Sequence, residues 1–226
     1  MKTRKYVAEF IGTFSMIFCG TGAMVINEIT HGSVTGVGIG ITWGLIVTAM
    51  IYAFGDISGA HFNPAVTVSF AFAKKFSWKE VPFYILAQCL GAIVASSILL
   101  FLFPASEWLG STQPSLDPYF PPINAFVLEI LLTFFLMLVI INVSTGSKEV
   151  GIIAGLAIGG VVLLEAIFAG PMTNASMNPA RSLGPALISG HLENLWLYLI
   201  APFIGALLAV LSCRLVKGKD CCDEKY

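Results

Sequence analysis

The chain has 226 residues, of which 57% are hydrophobic and only 11% charged, and its mean hydropathy is +0.86. So little charge excludes an ordinary soluble domain and makes a polytopic membrane protein the default class. A formal net charge of −1 gives no electrostatic basis for binding nucleic acid.

In chain order, "MKTRKYVAEFIGTFSMIFCGTGAMVI" is too long and too rich in glycine for a secretory signal, and reads as a first span behind a short basic arm. Six segments reach the roughly 20 residues a bilayer needs. They lie at about 6–26, 34–55, 81–103, 123–143, 150–169 and 194–216. Two further apolar stretches, about 63–73 and 178–188, are too short to cross, and both begin with Asn-Pro. Asn is a good helix cap and Pro suits the first helical position, so these stretches predict half-helices that start inside the membrane and return. Basic residues fix the orientation. Lys2, Arg4 and Lys5, then Lys74, Lys75 and Lys79, then Lys148, then Arg214, Lys217, Lys219 and Lys225 all fall on one face under six spans, which is expected to be cytoplasmic. The opposite loops, 27–33 and 104–122, contain no Lys or Arg. Arg181 alone breaks the pattern.

The two halves of the chain match. A shift of 115 residues aligns Gly36, Gly40, Gly44, Gly55, Asn63, Pro64 and Ala65 with Gly151, Gly155, Gly159, Gly170, Asn178, Pro179 and Ala180. Glu9 and Thr13-Phe14 match Glu129 and Thr133-Phe134, and "AQCLGA" (87–92) matches "APFIGA" (201–206). Three spans per half is an odd number, so the second copy is inserted upside down, and such inverted repeats place their site near the midplane. The expected fold is an all-α polytopic membrane protein with six transmembrane helices plus two re-entrant half-helices. It forms one domain over 1–226, with repeat one at about 6–103, an extracellular connection at 104–122, repeat two at about 123–216 and a cytoplasmic tail at 217–226. The regularly spaced glycines at 36, 40, 44, 151, 155 and 159 are expected to let helices approach closely.

Where the two half-helix starts meet, unpaired N–H groups and two positive dipole ends converge. Asn63 and Asn178 can each cap a helix with the side-chain carbonyl and turn the amide N–H₂ toward a lumen. The non-helical backbone leading in, Gly59-Ala60-His61-Phe62 and Asn174-Ala175-Ser176-Met177, is tolerated at that depth where it is buried or lines a wet cavity, and its carbonyls offer acceptors to a permeant.

Two Asn-Pro-Ala triplets in opposite halves of an inverted repeat, with Arg181 after the second, resemble the aquaporin (major intrinsic protein) family over almost the whole chain. The resemblance implies the aquaporin fold, one pore per subunit, a homotetramer, and passive permeation of water or small neutral solutes across the plasma membrane, with both termini cytoplasmic. It places the family's constriction on Trp43, Ala166, Ala175 and Arg181. Water-selective members usually carry His at the position of Ala166. Here two walls are alanine, and "AGPMTNASMNPARSLGPA" with Tyr198-Leu199 resembles the nodulin-like branch. Ser182 stands where the glycerol-facilitator branch normally has Asp. The implied permeants are glycerol and similar polyols, urea, and neutral metalloid hydroxides such as arsenite and boric acid, with water.

The intramembrane acids allow a rival reading, a proton-coupled transporter on the same repeat using Glu9, Glu129 or Glu165. The family resemblance instead makes Glu9 and Glu129 braces that accept N–H bonds from the re-entrant loops. Glu165, beside Ala166, is expected either to pair with loop backbone or to touch the permeant path. Asp56 would make the inner mouth more acidic. His61 is expected to brace its loop, and His31 and His191 to sit in loops. Asn174-Ala175-Ser176 matches a glycosylation sequon inside the pore loop, where a glycan has no room. Cys19, Cys89, Cys213, Cys221 and Cys222 follow no zinc or redox spacing; the first three lie in apolar segments, and Cys221-Cys222 leaves a soft-metal contact as a minor alternative. No metal, no cofactor and no enzymatic constellation is expected.

Overall fold

A computed structural model of the chain describes residues 2–144 and 152–218. Lys148, Gly151, Lys219, Lys225 and the Cys221-Cys222 pair, all singled out above, lie outside the described residues.

Among the described residues the chain forms eight helices: α1 (Lys2–Ile29), α2 (Thr35–Ser58), α3 (Pro64–Phe72), α4 (Val81–Leu102), α5 (Pro122–Val143), α6 (Ala154–Thr173), α7 (Pro179–Ser189) and α8 (Leu195–Lys217). Six of them are long and apolar enough to cross a bilayer. The short pair, α3 with nine residues and α7 with eleven, together measure about 30 Å at 1.5 Å per residue, roughly one hydrocarbon core. Two half-helices placed start to start can therefore fill the depth that one span fills alone.

The helix bounds differ from expectation in instructive places. The basic arm is not separate: Lys5 is already helical in α1, and its ammonium lies 2.7 Å from Glu80. Helix α2 passes Gly55 and stops at Ser58, where Gly59 takes the left-handed conformation (φ 85°) and returns its N–H to the Gly55 carbonyl. Helix α6 runs past its expected end, through Pro171, to Thr173.

Packing follows the repeat. Helix α1 lies along α4 and α5 along α8, while α2 and α6 meet across the centre; α7 packs on α4 and α3 on α8, so each half-helix rests on the opposite half. Glycines set the closest approaches of backbone to backbone. A Cβ on Gly44 would lie 2.7 Å from the Gly159 carbonyl oxygen, and one on Gly159 would lie 2.5 Å from that of Gly44. At the equivalent places on α4 and α8, Cβ atoms on Gly91 and Gly205 would strike the carbonyls of Phe10 and Ile130. Gly184 on α7 abuts the Ala92 carbonyl of α4, whereas Gly40 and Gly155 leave room for the side chains of Ile167 and Tyr52. Gly36 departs from the expected pattern: it has open space within 4 Å and closes no contact.

Polarity in the bundle differs from that of a soluble protein chiefly on the outside. Leu45, Leu86, Phe101, Phe168 and Ile200 are exposed on its flanks. The interior is a mainly apolar core in which a few polar side chains, among them Glu9, Gln88, Glu129, Glu165 and Arg181, are buried. Among the described residues this leaves an apolar outer belt, and the chain is a multi-pass membrane protein.

Candidate functional site

The site begins with two short stretches of unusual backbone. Gly59, Ala60 and Phe62 have φ of 85°, 50° and 48°, and their partners 115 residues later, Asn174, Ala175 and Met177, have 60°, 42° and 54°. Non-glycine residues in this region cost about 1–2 kcal/mol each, so something must hold them. Two buried carboxylates supply the bonds. Glu9 accepts from the His61 N–H at 2.9 Å, the Phe62 N–H at 2.7 Å, the Ser58 hydroxyl at 2.7 Å and the Gln88 amide at 2.8 Å. Glu129 accepts from the N–H groups of Ser176 and Met177, both at 2.9 Å. The bonded loop residues again differ by 115, so the repeat extends to individual hydrogen bonds.

Each loop then ends at an asparagine. Asn63 (φ −152°, ψ 121°) and Asn178 (φ −150°, ψ 110°) are extended caps followed by proline at the first helical position. The Asn63 side-chain oxygen accepts from the Ala65 N–H at 2.9 Å; that of Asn178 accepts from Ala180 at 3.0 Å and Arg181 at 3.3 Å. The amide nitrogens cross over. Asn63 Nδ2 donates to the Met177 carbonyl and Asn178 Nδ2 to the Phe62 carbonyl, each at 2.8 Å. From residue type alone, both amide hydrogens of each asparagine are expected to face a lumen. Instead one hydrogen of each ties the two loops together, which leaves the second for the cavity that both side chains line.

That cavity holds about 60 Å³ and is bounded by Trp43, Ala166, Ala175 and Arg181 as well as by Ala60, His61, Phe62, Asn63, Ser176, Met177 and Asn178. Its remaining wall is apolar, including Val47, Val66 and Leu136. A second cavity of about 360 Å³, on the side of the 104–121 connection, is lined by Asn174 together with Met24, Asn27, Glu28, Gly110 and Gln113. Gly59 lines neither.

Arg181 is 2% exposed. Its Nη1 donates to the Gly110 carbonyl at 2.7 Å and its Nη2 to the Met24 sulfur at 3.1 Å, while the guanidinium carbon sits 5.0 Å from the centre of the Trp43 ring. Trp43 itself fits because Gly20 on α1 has no side chain; a Cβ there would overlap the indole. Gly110, Met24 and Gly20 were not anticipated. Gly110 sits in a loop with no other mark, and Met24 and Gly20 look like ordinary span residues until the fold brings them to Arg181 and Trp43.

The remaining candidates are distributed as follows. Glu165 is 2% exposed, and neither of its oxygens has a hydrogen-bond partner, so the expected pairing with loop backbone is not formed. It also does not line the central cavity. The Nδ1 of His61 lies 3.2 Å from the Thr67 hydroxyl, and its ring packs among Phe70, Phe76 and Tyr84. Asn174 accepts from the Gln113 N–H at 2.9 Å, fastening the connection to the second loop. The Ser182 and Ser176 hydroxyls lie 2.6 Å apart. His31 occupies an exposed turn, His191 stacks on Trp108, and Asp56 is exposed near the end of α2. No group of three or more metal-ligating side chains is found among the described residues.

Residues 1–212 match the family described as Major intrinsic protein. The chain belongs to that family. It is 45% identical to soybean (Glycine max) Nodulin-26 over 96% of this chain and 79% of the relative, and 48% identical to Aquaporin NIP3-1 of Arabidopsis thaliana over 95% and 68%. The X-ray structure of the aquaglyceroporin from Plasmodium falciparum superposes with a TM-score of 0.83 at 28% identity, covering 97% of this chain and 96% of that one. This major intrinsic protein therefore has the aquaporin fold and is a membrane channel for water and small solutes, not an enzyme.

Proposed function

We propose that the channel passively conducts small uncharged solutes, chiefly glycerol and similar polyols, with water, urea and the neutral hydroxides of arsenic and boron, and that it excludes ions and protons. The observation that carries this reading is the composition of the central cavity: Arg181 and Trp43 meet two walls, Ala166 and Ala175, that end at Cβ. A polyol presents hydroxyls on one side and carbons on the other. Arg181 donates to the hydroxyls, the indole of Trp43 takes the carbons, and the alanines leave room that a histidine would fill. The likeness to the Plasmodium aquaglyceroporin supports the same solute class.

Exclusion of charge follows from the middle of the pore. The starts of α3 and α7 bring two positive dipole ends together, with the free amide hydrogens of Asn63 and Asn178 pointing the same way electrostatically. A neutral acceptor is welcomed there; a cation meets a positive field added to its desolvation cost in the membrane. Ala60, His61, Phe62, Ser176 and Met177 form the lining between the asparagines and the two mouths, with Gly59 and Asn174 at the loop entrances. Glu9 and Glu129 act as braces. Their oxygens are committed to fixed N–H donors, so a proton arriving at either would displace a bond that holds the loop, which disfavours the proton-coupled alternative. The channel works as a homotetramer in the plasma membrane with both termini cytoplasmic, as one channel domain whose repeats cover about 6–103 and 123–216.

Stopped-flow swelling of reconstituted vesicles tests the solute assignment. Ala166→His combined with Ala175→Thr is expected to lower glycerol flux at least tenfold while changing water flux by less than threefold. Equal loss of both fluxes, or loss of neither, would show that these residues do not form the limiting walls.

A further inference from the structure

Arg181 has five N–H donors and sits in a site where a strong acceptor would be favoured. The Gly110 carbonyl provides one such acceptor at 2.7 Å. On the other side Nη2 meets only the thioether of Met24, 3.1 Å away, and a thioether is a weak acceptor. Met24 is half-buried and lines the 360 Å³ cavity on the side of the 104–121 connection, next to Asn27, Gln113 and Asn174. By contrast Met16 and Met177, on the central cavity, are 6% and 3% exposed. Met24 thus links the Arg181 guanidinium to the cavity on the side of the 104–121 connection.

We propose that Met24 is an oxidation site through which hydrogen peroxide closes the pore. The proposal rests on the channel reading above, because peroxide reaches the sulfur as a small neutral solute. One sulfur lone pair attacks a peroxide oxygen, the S–O bond forms as the O–O bond breaks, and the proton on the attacked oxygen passes to the departing oxygen, which leaves as water. The sulfur is oxidised by two electrons and the peroxide is reduced by two. The product is a sulfoxide, polar and more demanding of space than the thioether. Its oxygen is a strong acceptor placed against a cationic donor, and such charge-assisted bonds are about twice as strong as neutral ones. The guanidinium is thereby fixed between the Gly110 carbonyl and the sulfoxide, and the added oxygen narrows the approach that Met24 lines. Both changes act on Arg181 and leave the asparagine pair untouched.

The test uses full-length protein in vesicles, treated with hydrogen peroxide and then with catalase, followed by glycerol swelling and peptide mass spectrometry. A gain of one oxygen on the Met24 peptide is expected together with at least a threefold fall in glycerol flux, and methionine sulfoxide reductases should reverse both. Met24→Leu removes the oxidisable sulfur, and its glycerol flux, compared with its own untreated value, is expected to be unchanged after peroxide. Met24→Gln, which places an oxygen acceptor beside Arg181 without oxidation, should show reduced flux from the start. The proposal is overturned if Met24 remains unmodified while other methionines oxidise, if flux persists with Met24 oxidised, or if Met24→Leu loses flux as the wild type does. Untreated vesicles that pass no glycerol would instead refute the channel reading, and this inference with it.

Discussion

Glu129 and Glu165 are both buried carboxyl groups, 0% and 2% exposed, yet only Glu129 has hydrogen bonds to lose. In Glu129→Gln one oxygen becomes an NH₂ that faces a backbone N–H. One of the two 2.9 Å bonds from Ser176 and Met177 disappears, and the other changes from charge-assisted to neutral. Losing the first costs about 1.5–3 kcal/mol, and weakening the second costs about 1 kcal/mol. Ala175 and Met177 would then hold positive φ with less support. A total loss of about 2.5–4 kcal/mol is expected, and at about 2–4 °C per kcal/mol for a chain of this size Tm should fall by roughly 5–16 °C. Glu165→Gln removes no bond and should stay within about 1 kcal/mol of wild type; Glu165→Leu should match or exceed it, because an unpartnered buried polar group is replaced by an apolar one. Thermal unfolding of the detergent-purified variants, followed by intrinsic fluorescence, measures the difference. Equal losses for Glu129→Gln and Glu165→Gln would refute the reasoning, since burial alone would then account for both.

Other outcomes follow from the same contacts. Gly44→Ala puts a methyl 2.7 Å from the Gly159 carbonyl and should cost about 1–3 kcal/mol, whereas Gly36→Ala, with open space around it, should be neutral or stabilise by about 0.5–1 kcal/mol through helix propensity; unfolding midpoints of the pair check this. Asn178→Ala removes a cap and the bond to the Phe62 carbonyl, so a loss of about 2–3 kcal/mol and a severalfold fall in glycerol flux are expected. Asn178→Asp keeps the capping oxygen but replaces the amide donor with charge. Its second oxygen faces the Phe62 carbonyl, where the amide donated at 2.8 Å, so it should be no more stable than the alanine variant, and it should raise cation leak, which a potential-sensitive dye in vesicles would detect.

The sequence carried the half-helix starts openly, because Asn-Pro is a local signal: the cap and the proline act within three residues of one another. The inverted repeat was equally legible, and the backbone angles at 59–62 and 174–177 reproduce it. What stayed hidden depends on distant partners. The Gly110 carbonyl lies 71 residues before Arg181 and the Met24 sulfur 157 residues before it, and neither residue type suggests guanidinium binding. Glycine spacing shows a close-packed stripe but not its ends: Gly36 shares the spacing of Gly40 and Gly44, yet among the described residues a Cβ on it would meet nothing within 4 Å. The apolar run places the end of α6 at about 169, but the helix absorbs Pro171 and continues to Thr173. For Asn63 and Asn178 residue type gave the cap correctly, while the crossed amide bonds required knowing that the two loops touch.

Passive passage of a neutral solute through the cavity between Asn63, Asn178 and Arg181 has a direct readout. Vesicles containing the purified protein, a trapped pH-sensitive dye and a proton gradient provide it in one measurement when external radiolabelled glycerol is added. Glycerol is expected to rise to the external concentration and stop there, at a rate independent of the gradient, while the dye reports no proton movement above that of protein-free vesicles. Accumulation of glycerol above the external concentration, with protons entering alongside it, would contradict passive passage.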